Sequence, residues 1–163
     1  MVDILSRVSL RWIFKQSHSD GSFTHFTNFF LSFIGFADQY FNVGIIEIFT
    51  MTIRSRLKIH NKIITGLTFD PMDDLFSVSY DRHICRFNNL ALQGRSLVDE
   101  EHLPIHVQYC NGFLLVLTDG RQIKMLNPAT LNCRKILRFD GIPRVIDINF
   151  TISKPTSFAC YVN

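Results

Sequence analysis

The fold is decided by residues 60–88, which read HNKIITGLTFDPMDDLFSVSYDRHICRFN. The apolar residues at 64–69, 75–80 and 84–87 form a pattern typical of three short strands. An Asp-Pro turn at 70–74 separates the first two strands, because proline presets φ and aspartate favours turns. Asp81 lies in the turn between the second and third strands. The stretch therefore predicts an antiparallel meander of strands.

The end of this stretch recurs in the chain. An apolar residue, two further residues, a large apolar residue and a small polar residue follow one another at 84–88, and again at 46–50 and 123–127. The large residues are Phe49, Phe87 and Leu126, which are 38 and 39 residues apart. A fixed period of about 40 residues indicates a repeat protein with one small sheet per unit.

The internal strands are repeated as well. Residues 64–69 align with two later segments, 105–109 and 145–150. Residues 75–80 align with 113–118 and 157–162, and residues 30–36 fit the same position in an earlier copy. We therefore predict an irregular N-terminal segment, three complete units and a half unit, at residues 1–21, 22–58, 63–98, 104–137 and 144–163.

These residues resemble the WD40 repeat family over residues 22–163. The family pattern has a Gly-His near the start of each blade, an Asp in the turn after the second strand and Trp-Asp at the end of the third. Here His60 and Asp81 match their positions, Ser79 matches a frequent Ser or Thr, and Phe87-Asn88 replaces Trp-Asp. The resemblance implies an all-β fold, a partial β-propeller of four-stranded antiparallel blades.

The resemblance also implies a buried relay of hydrogen bonds from Asp through His and Ser to Trp. In this sequence the predicted members are His60, Ser79 and Asp81, and the relay stops at Phe87 because phenylalanine has no N–H donor. The third unit keeps His102 and Asp119 but has leucine in the other two places. A catalytic nucleophile, base and orienting group is the alternative for the first three. We interpret all five as structural and predict no enzymatic activity.

Composition indicates no cofactor or metal site. The four cysteines are 23 to 27 residues apart, without a Cys-x-x-Cys pair, so we expect free thiols, with a disulfide as the alternative. The net charge of +3 is mildly basic and indicates no nucleic-acid partner. Weak candidates for partner binding are the loop residues Arg82, His83 and Arg121. The basic residues Arg54, Arg56 and Lys58 protect a strand edge or form a recognition patch.

The N-terminal region is rich in phenylalanine, with nine of the 16 Phe before residue 50. Its apolar stretch at 26–36 is 11 residues long, well below the ~20 that a membrane-spanning helix needs. The first residues also lack the pattern of a signal peptide. We predict a cytoplasmic protein, with the nucleus as a second compartment. A small membrane-associated protein anchored through residues 26–53 is the alternative function.

The number of blades bears on function. Propellers have about four to eight blades, whereas the sequence predicts three and a half. The chain is then a fragment of a longer propeller, one of two chains that close a ring, or a piece that a partner completes. An unpaired apolar edge at 157–162 would favour such pairing. The sequence predicts a non-enzymatic protein-interaction scaffold whose partners are proteins, including a second copy of itself.

Overall fold

The computed structural model describes residues 33–88 and 91–140 together with the backbone of residues 23–29. The predicted N-terminal segment 1–21 and half unit 144–163 lie outside these residues. The described part holds twelve strands and no helix. The strands are β1 Phe23–Phe29, β2 Phe33–Asp38, β3 Asn42–Glu47, β4 Thr52–Lys58, β5 Ile64–Phe69, β6 Leu75–Ser79, β7 His83–Asn88, β8 Ala91–Leu97, β9 Pro104–Cys110, β10 Phe113–Thr118, β11 Gln122–Leu126 and β12 Cys133–Arg138.

The strands form three separate four-stranded sheets, β1–β4, β5–β8 and β9–β12. Each sheet is an antiparallel meander, in which each strand pairs with the next one along the chain. Each sheet is open, with its first and fourth strands as edges. The predicted all-β class is confirmed.

Burial changes in a regular way across each sheet. Every residue of β5 and β6 is buried, which requires cover on both faces of the second sheet. The fourth strands β4 and β8 share a mostly exposed pattern, and β12 is also mostly exposed. The first strands lie next to one another, because β5 contacts both β1 and β9. The fourth strands therefore lie on the outside.

The faces of the sheets pack through alternate residues of the second sheet, as the period of two in a strand requires. Towards the first sheet, Leu75 and Phe87 pack in a cluster with Val43. Towards the third sheet, Phe76 and Val78 pack in a cluster with Leu114 and its neighbours. Two hydrogen bonds also cross from β5 to β9: Thr65 Oγ1 donates to Pro104 O at 2.8 Å, and Tyr109 N donates to Thr68 Oγ1 at 3.1 Å.

The turn before each third strand has the same backbone geometry. The residues Phe41, Arg82 and Arg121 directly precede β3, β7 and β11 and have φ of 69°, 69° and 59°. A register shift also recurs between each third and fourth strand, at Ile45/Ile46, Arg86/Phe87 and Met125/Leu126. The repeat is therefore one of backbone conformation as well as of sequence.

This geometry corrects the alignment of the first copy. The prediction placed Phe49 opposite Phe87 and Leu126, but β3 ends at Glu47 and Phe49 is 79% exposed in the following turn. Counting from the left-handed turn residues, the equivalent of Phe87 and Leu126 is Ile46, which is buried like them. The local pattern matched a second apolar pair three residues later, and only the packing identifies the inward residue.

Candidate functional site

The principal polar site is a buried chain of three side chains in the second sheet. His60 lies in the loop between β4 and β5 and is 2% exposed. Its Nδ1 lies 2.9 Å from Asp81 Oδ2, and its Nε2 lies 2.8 Å from Ser77 Oγ. Because a carboxylate only accepts hydrogen bonds, Nδ1 carries the proton that Asp81 accepts. In the neutral ring the Ser77 hydroxyl then donates to Nε2. These three hydrogen-bonded side chains join the loop between β4 and β5, strand β6 and the turn that follows it.

The serine that contacts His60 is not the predicted one. The resemblance pointed to Ser79, but its Oγ donates to Lys62 O at 3.0 Å and accepts the N–H of Asp81 at 3.1 Å. Ser77 and Ser79 lie on the same face of β6, since they are two residues apart. Ser79 ends the strand and supports the turn, whereas Ser77 lies two residues before the strand end, within reach of the His60 ring. Periodicity identifies the face of the strand, and the tertiary structure decides which serine on that face is the partner.

Asp81 is the charged end of the chain and gathers several donors. Besides His60, it accepts the backbone N–H groups of His83 at 3.0 Å and Asn61 at 3.3 Å, and Arg95 lies 3.3 Å away. Burial by itself raises the pKa of this carboxyl, but the hydrogen bond from His60 and the backbone N–H donors outweigh this and hold its pKa at about 2. Asp81 is therefore a fixed anion around which the turn is built.

The position beyond Ser77, at the end of the hydrogen-bonded row opposite Asp81, is apolar. Phe87, which stands at the position of the family's tryptophan, is 4% exposed and belongs to the cluster between the first and second sheets. It offers no donor to Ser77, so this polar chain has three members.

The third sheet holds a looser version of this arrangement. His102 Nδ1 and Asp119 Oδ1 are 3.7 Å apart, and their side chains are 33% and 48% exposed. Asp119 Oδ1 instead accepts the backbone N–H of Leu103 at 2.8 Å. Counted from the left-handed turn residues Arg82 and Arg121, Val116 stands at the place of Ser77, so no hydroxyl is available to satisfy a buried imidazole. The histidine accordingly stays partly in solvent.

Sequence reasoning missed a largely buried ion pair between Lys124 of β11 and Asp99. The Asp99 side chain is 10% exposed, and its Oδ2 lies 2.5 Å from Lys124 Nζ. Lys124 also donates to Val98 O at 2.8 Å. Burial raises the pKa of Asp99, and the hydrogen bonds from Lys124, Glu101 and His102 outweigh this and hold it at about 2. The pair attaches the third sheet to the preceding loop.

A second missed carboxylate is Asp38, at the end of β2. It is 2% exposed and accepts hydrogen bonds from Asn42 and from Arg56, whose Nε lies 2.9 Å from Oδ2. Burial raises its pKa, but the hydrogen bonds from Asn42, Arg56 and Tyr40 lower it overall. Arg54 pairs with Glu47. Two of the three basic residues assigned to edge protection are therefore held by carboxylates of their own sheet.

The predicted partner-binding residues lie at equivalent hairpin turns. Arg82 and Arg121 are exposed, and His83 is partly exposed with its Nδ1 2.8 Å from Asp81 O. Arg82 donates to Glu100 O. Among the described residues no hydrogen bond or ion pair links Arg121 to the other two. The turns share their position in the repeat, but each belongs to its own sheet.

Burial keeps a substrate from reaching these three hydrogen-bonded side chains and so limits the chemistry that they can perform. Asp81, His60 and Ser77 follow the hydrogen-bond order of a Ser-His-Asp triad, in which the serine attacks a substrate carbonyl. Here Ser77 and the His60 ring have no exposed surface, so a carbonyl cannot reach the hydroxyl. The arrangement can connect backbone segments and satisfy buried polar groups.

Other reactive groups are dispersed. Within the described ranges no three His, Cys, Asp or Glu side chains lie close enough together to hold a metal ion. Cys85, Cys110 and Cys133 are free thiols, and burial raises the pKa of Cys85 to about 12. Cys160 lies outside the described residues. In the same part of the chain, no helix has the length and apolar character needed to cross a membrane.

Two comparisons with known proteins were made on the sequence. A scan against protein-family models finds no matching family, and a search of curated proteins finds no similar sequence. The arguments for function therefore depend on the geometry of this chain.

The depressed carboxyl pKa values predict a loss of stability in acid. Asp81 and Asp99 have pKa values near 2 in the folded chain, against ordinary values of 3.8. Below pH 3.8 the unfolded chain takes up these protons first, so the free energy of unfolding falls as the pH drops towards 2 and is unaffected by them at higher pH. Asp70, whose pKa is raised by burial, acts in the opposite direction.

Urea unfolding at a series of pH values measures this effect. In Asp81→Asn we expect a smaller decrease between pH 3.8 and 2 than in the wild type. Asp73→Asn, in an exposed turn, is the matched control and should keep the full decrease. Equal decreases in all three proteins would contradict the assignment of the fixed charge to Asp81.

Proposed function

We propose that the three sheets are consecutive blades of a WD40-like β-propeller and that the protein is a non-enzymatic scaffold for protein interactions. The observation that carries the proposal is the order of the strands. First strands β1, β5 and β9 lie side by side, while the fourth strands are exposed. Blades arranged around an axis have this order, with one edge strand inside and one outside.

The repeated turn geometry supports the same proposal. Left-handed residues at 41, 82 and 121 and the register shift before each outer strand recur at matching positions. In the last two sheets the residue after the fourth strand also donates to the turn residue, Val98 N to Arg82 O and Phe139 N to Arg121 O. Such recurrence favours a true repeat array, in which each unit needs neighbours to bury its faces.

The first and third sheets, at the two ends of the array, each carry an apolar cluster on the face away from the second sheet. Leu115, Leu117 and Ile123 form an apolar cluster on the second face of the third sheet, and Ile34, Phe36 and Ile46 form one on the first sheet. Neither cluster includes a residue of another described sheet, although its members are already buried within one copy of the chain, with Leu117 0% and Phe36 1% exposed. We propose that the array continues beyond these faces and that a second copy of the chain supplies the further blades that close the ring.

The solvent-exposed turns supply the recognition surface in this proposal. Arg82, His83 and Arg121 offer hydrogen-bond donors for acidic or carbonyl groups of a protein partner. The free thiols favour a reducing compartment, the cytoplasm or the nucleus. The Phe-rich segment gives little support to the membrane alternative, because Ile34, Phe36 and Val43 are buried within the fold.

Size-exclusion chromatography with light scattering tests the proposed closure. We expect a discrete assembly with twice the 18.9 kDa mass of the chain. A soluble species that keeps the mass of one chain as its concentration is raised would contradict closure by self-association. Stable binding to lipid vesicles that survives carbonate washing would instead favour the membrane-anchored alternative.

A further inference from the structure

We propose that a cavity between the second and third sheets binds a cationic side chain, lysine or arginine, of a protein partner. The cavity has a volume of about 260 Å³. Three hairpin turns surround it: β5–β6 with Asp70 and Pro71, β9–β10 with Gly112, and β11–β12 with Pro128 and Ala129. The inference rests on the scaffold function proposed above and names the chemistry of one partner group.

The cavity contains a carboxylate with an unused oxygen. Asp70 is 7% exposed and lines the cavity. Its Oδ1 accepts the N–H groups of Met72 at 2.8 Å and Asp74 at 3.0 Å. Its Oδ2 accepts no hydrogen bond from any described residue. Burial raises the pKa of Asp70 and the charge of Asp74 adds to this rise, and together they outweigh the opposing effects of its two backbone donors and of Arg86. A ligand that supplies a positive donor would provide that compensation.

The other charged group in the cavity is already committed. Arg86 lines one wall, but its Nε donates to Asp74 Oδ2 at 2.5 Å and its Nη1 donates to Ala129 O at 3.2 Å. Asp74 neutralises Arg86, and Asp70 remains as the net charge of the site. The cavity is therefore selective for a cation over an anion by charge complementarity.

The size and walls suit one long side chain. At about 260 Å³ the space falls below the roughly 300–1,000 Å³ typical of small-molecule pockets. Pro71, Pro128 and Tyr109 provide apolar surface for the methylene stem of lysine or arginine.

The walls are held in place without a ligand. Tyr109 N donates to Thr68 Oγ1, and Arg86 bridges from β7 to the β11–β12 turn, so both crossings join the second sheet to the third. Asp73 and Gly112 adopt left-handed φ of 67° and 84° in the adjoining turns. A preformed site loses little conformational entropy on binding.

The test is an NMR titration of the ¹⁵N-labelled full chain. The probes are blocked pentapeptides of glycine with one central residue, which is arginine, lysine or citrulline. Citrulline has nearly the shape of arginine but no charge. We expect saturable shifts of the Met72, Gly112 and Ala129 amides with the cationic peptides, and at least about tenfold weaker binding of the citrulline peptide.

Asp70→Asn and Asp73→Asn form the matched pair of variants. Both remove one charge from the same turn, but only Asp70 lines the cavity, and asparagine tolerates the left-handed φ of Asp73. We expect at least about tenfold weaker arginine binding in Asp70→Asn and unchanged binding in Asp73→Asn.

Three results would overturn the cation site: no saturable shift, equal binding of the citrulline peptide, or equal losses in both variants. The peptide comparison on the wild type decides the matter even if Asp70→Asn does not fold. If the protein forms an assembly of twice the chain mass but does not bind the arginine peptide, only the cation site is refuted. If the protein stays monomeric and binds the arginine peptide, only the proposed ring closure is refuted.

Discussion

Replacement of His60 by alanine is expected to lower the free energy of unfolding by about 3 kcal/mol, because it removes the middle of a buried polar chain. His60 is 2% exposed, and it contacts Asp81 at 2.9 Å and Ser77 at 2.8 Å. Without the imidazole, a buried carboxylate loses a partner and a cavity forms beneath the loop that precedes β5. Chemical unfolding monitored by circular dichroism measures the change.

His102→Ala is the matched control for this substitution. His102 lies near the equivalent loop position of the third sheet, but its side chain is 33% exposed and 3.7 Å from Asp119. Its loss should cost about 1 kcal/mol or less, as for other exposed ion pairs. If the two substitutions destabilise the protein equally, the buried chain contributes nothing beyond ordinary packing, and the structural role assigned to His60 is wrong.

Gly66→Ala is expected to destabilise the protein by about 2–3 kcal/mol through overpacking between the second and third sheets. A Cβ atom at Gly66 would lie 2.8 Å from Val107 N and 3.3 Å from His106 Cα, both of them backbone atoms of β9. Because backbone cannot rotate away as a side chain can, β9 must shift. The hydrogen bonds of Thr65 and Thr68 to the third sheet would then lengthen.

Gly94→Ala provides the control, since it makes the same change in an outer strand. There a Cβ atom would meet only Leu131 Cδ1, at an ordinary 3.5 Å. Its effect on unfolding should stay within about 0.5 kcal/mol, as is usual for surface substitutions. If Gly66→Ala were as stable as Gly94→Ala, the close contact between β5 and β9 would be refuted, and with it the main support for the blade arrangement.

The polar contacts show how far the resemblance to a known family extends. It paired His60 with Asp81, and the structure joins them at 2.9 Å. It did not distinguish Ser77 from Ser79, because both point to the same face of β6. It also gave no reason to bury Asp38 or Asp99, whose partners Arg56 and Lys124 lie 18 and 25 residues away in the chain. Such pairs are created by the packing of strands that local patterns do not relate.

The amino-acid sequence by itself determined the local elements. Alternating and continuous apolar residues specified strands, and Asp-Pro and Asp81 specified turns, because these effects act within a few residues. Only the tertiary structure decided which residues face inward and how deeply: Ile46 rather than Phe49, and Ser77 rather than Ser79 as the partner of His60. It alone formed the cavity at Asp70, since the cavity depends on how the second and third sheets pack together, which a period of two along one strand does not encode.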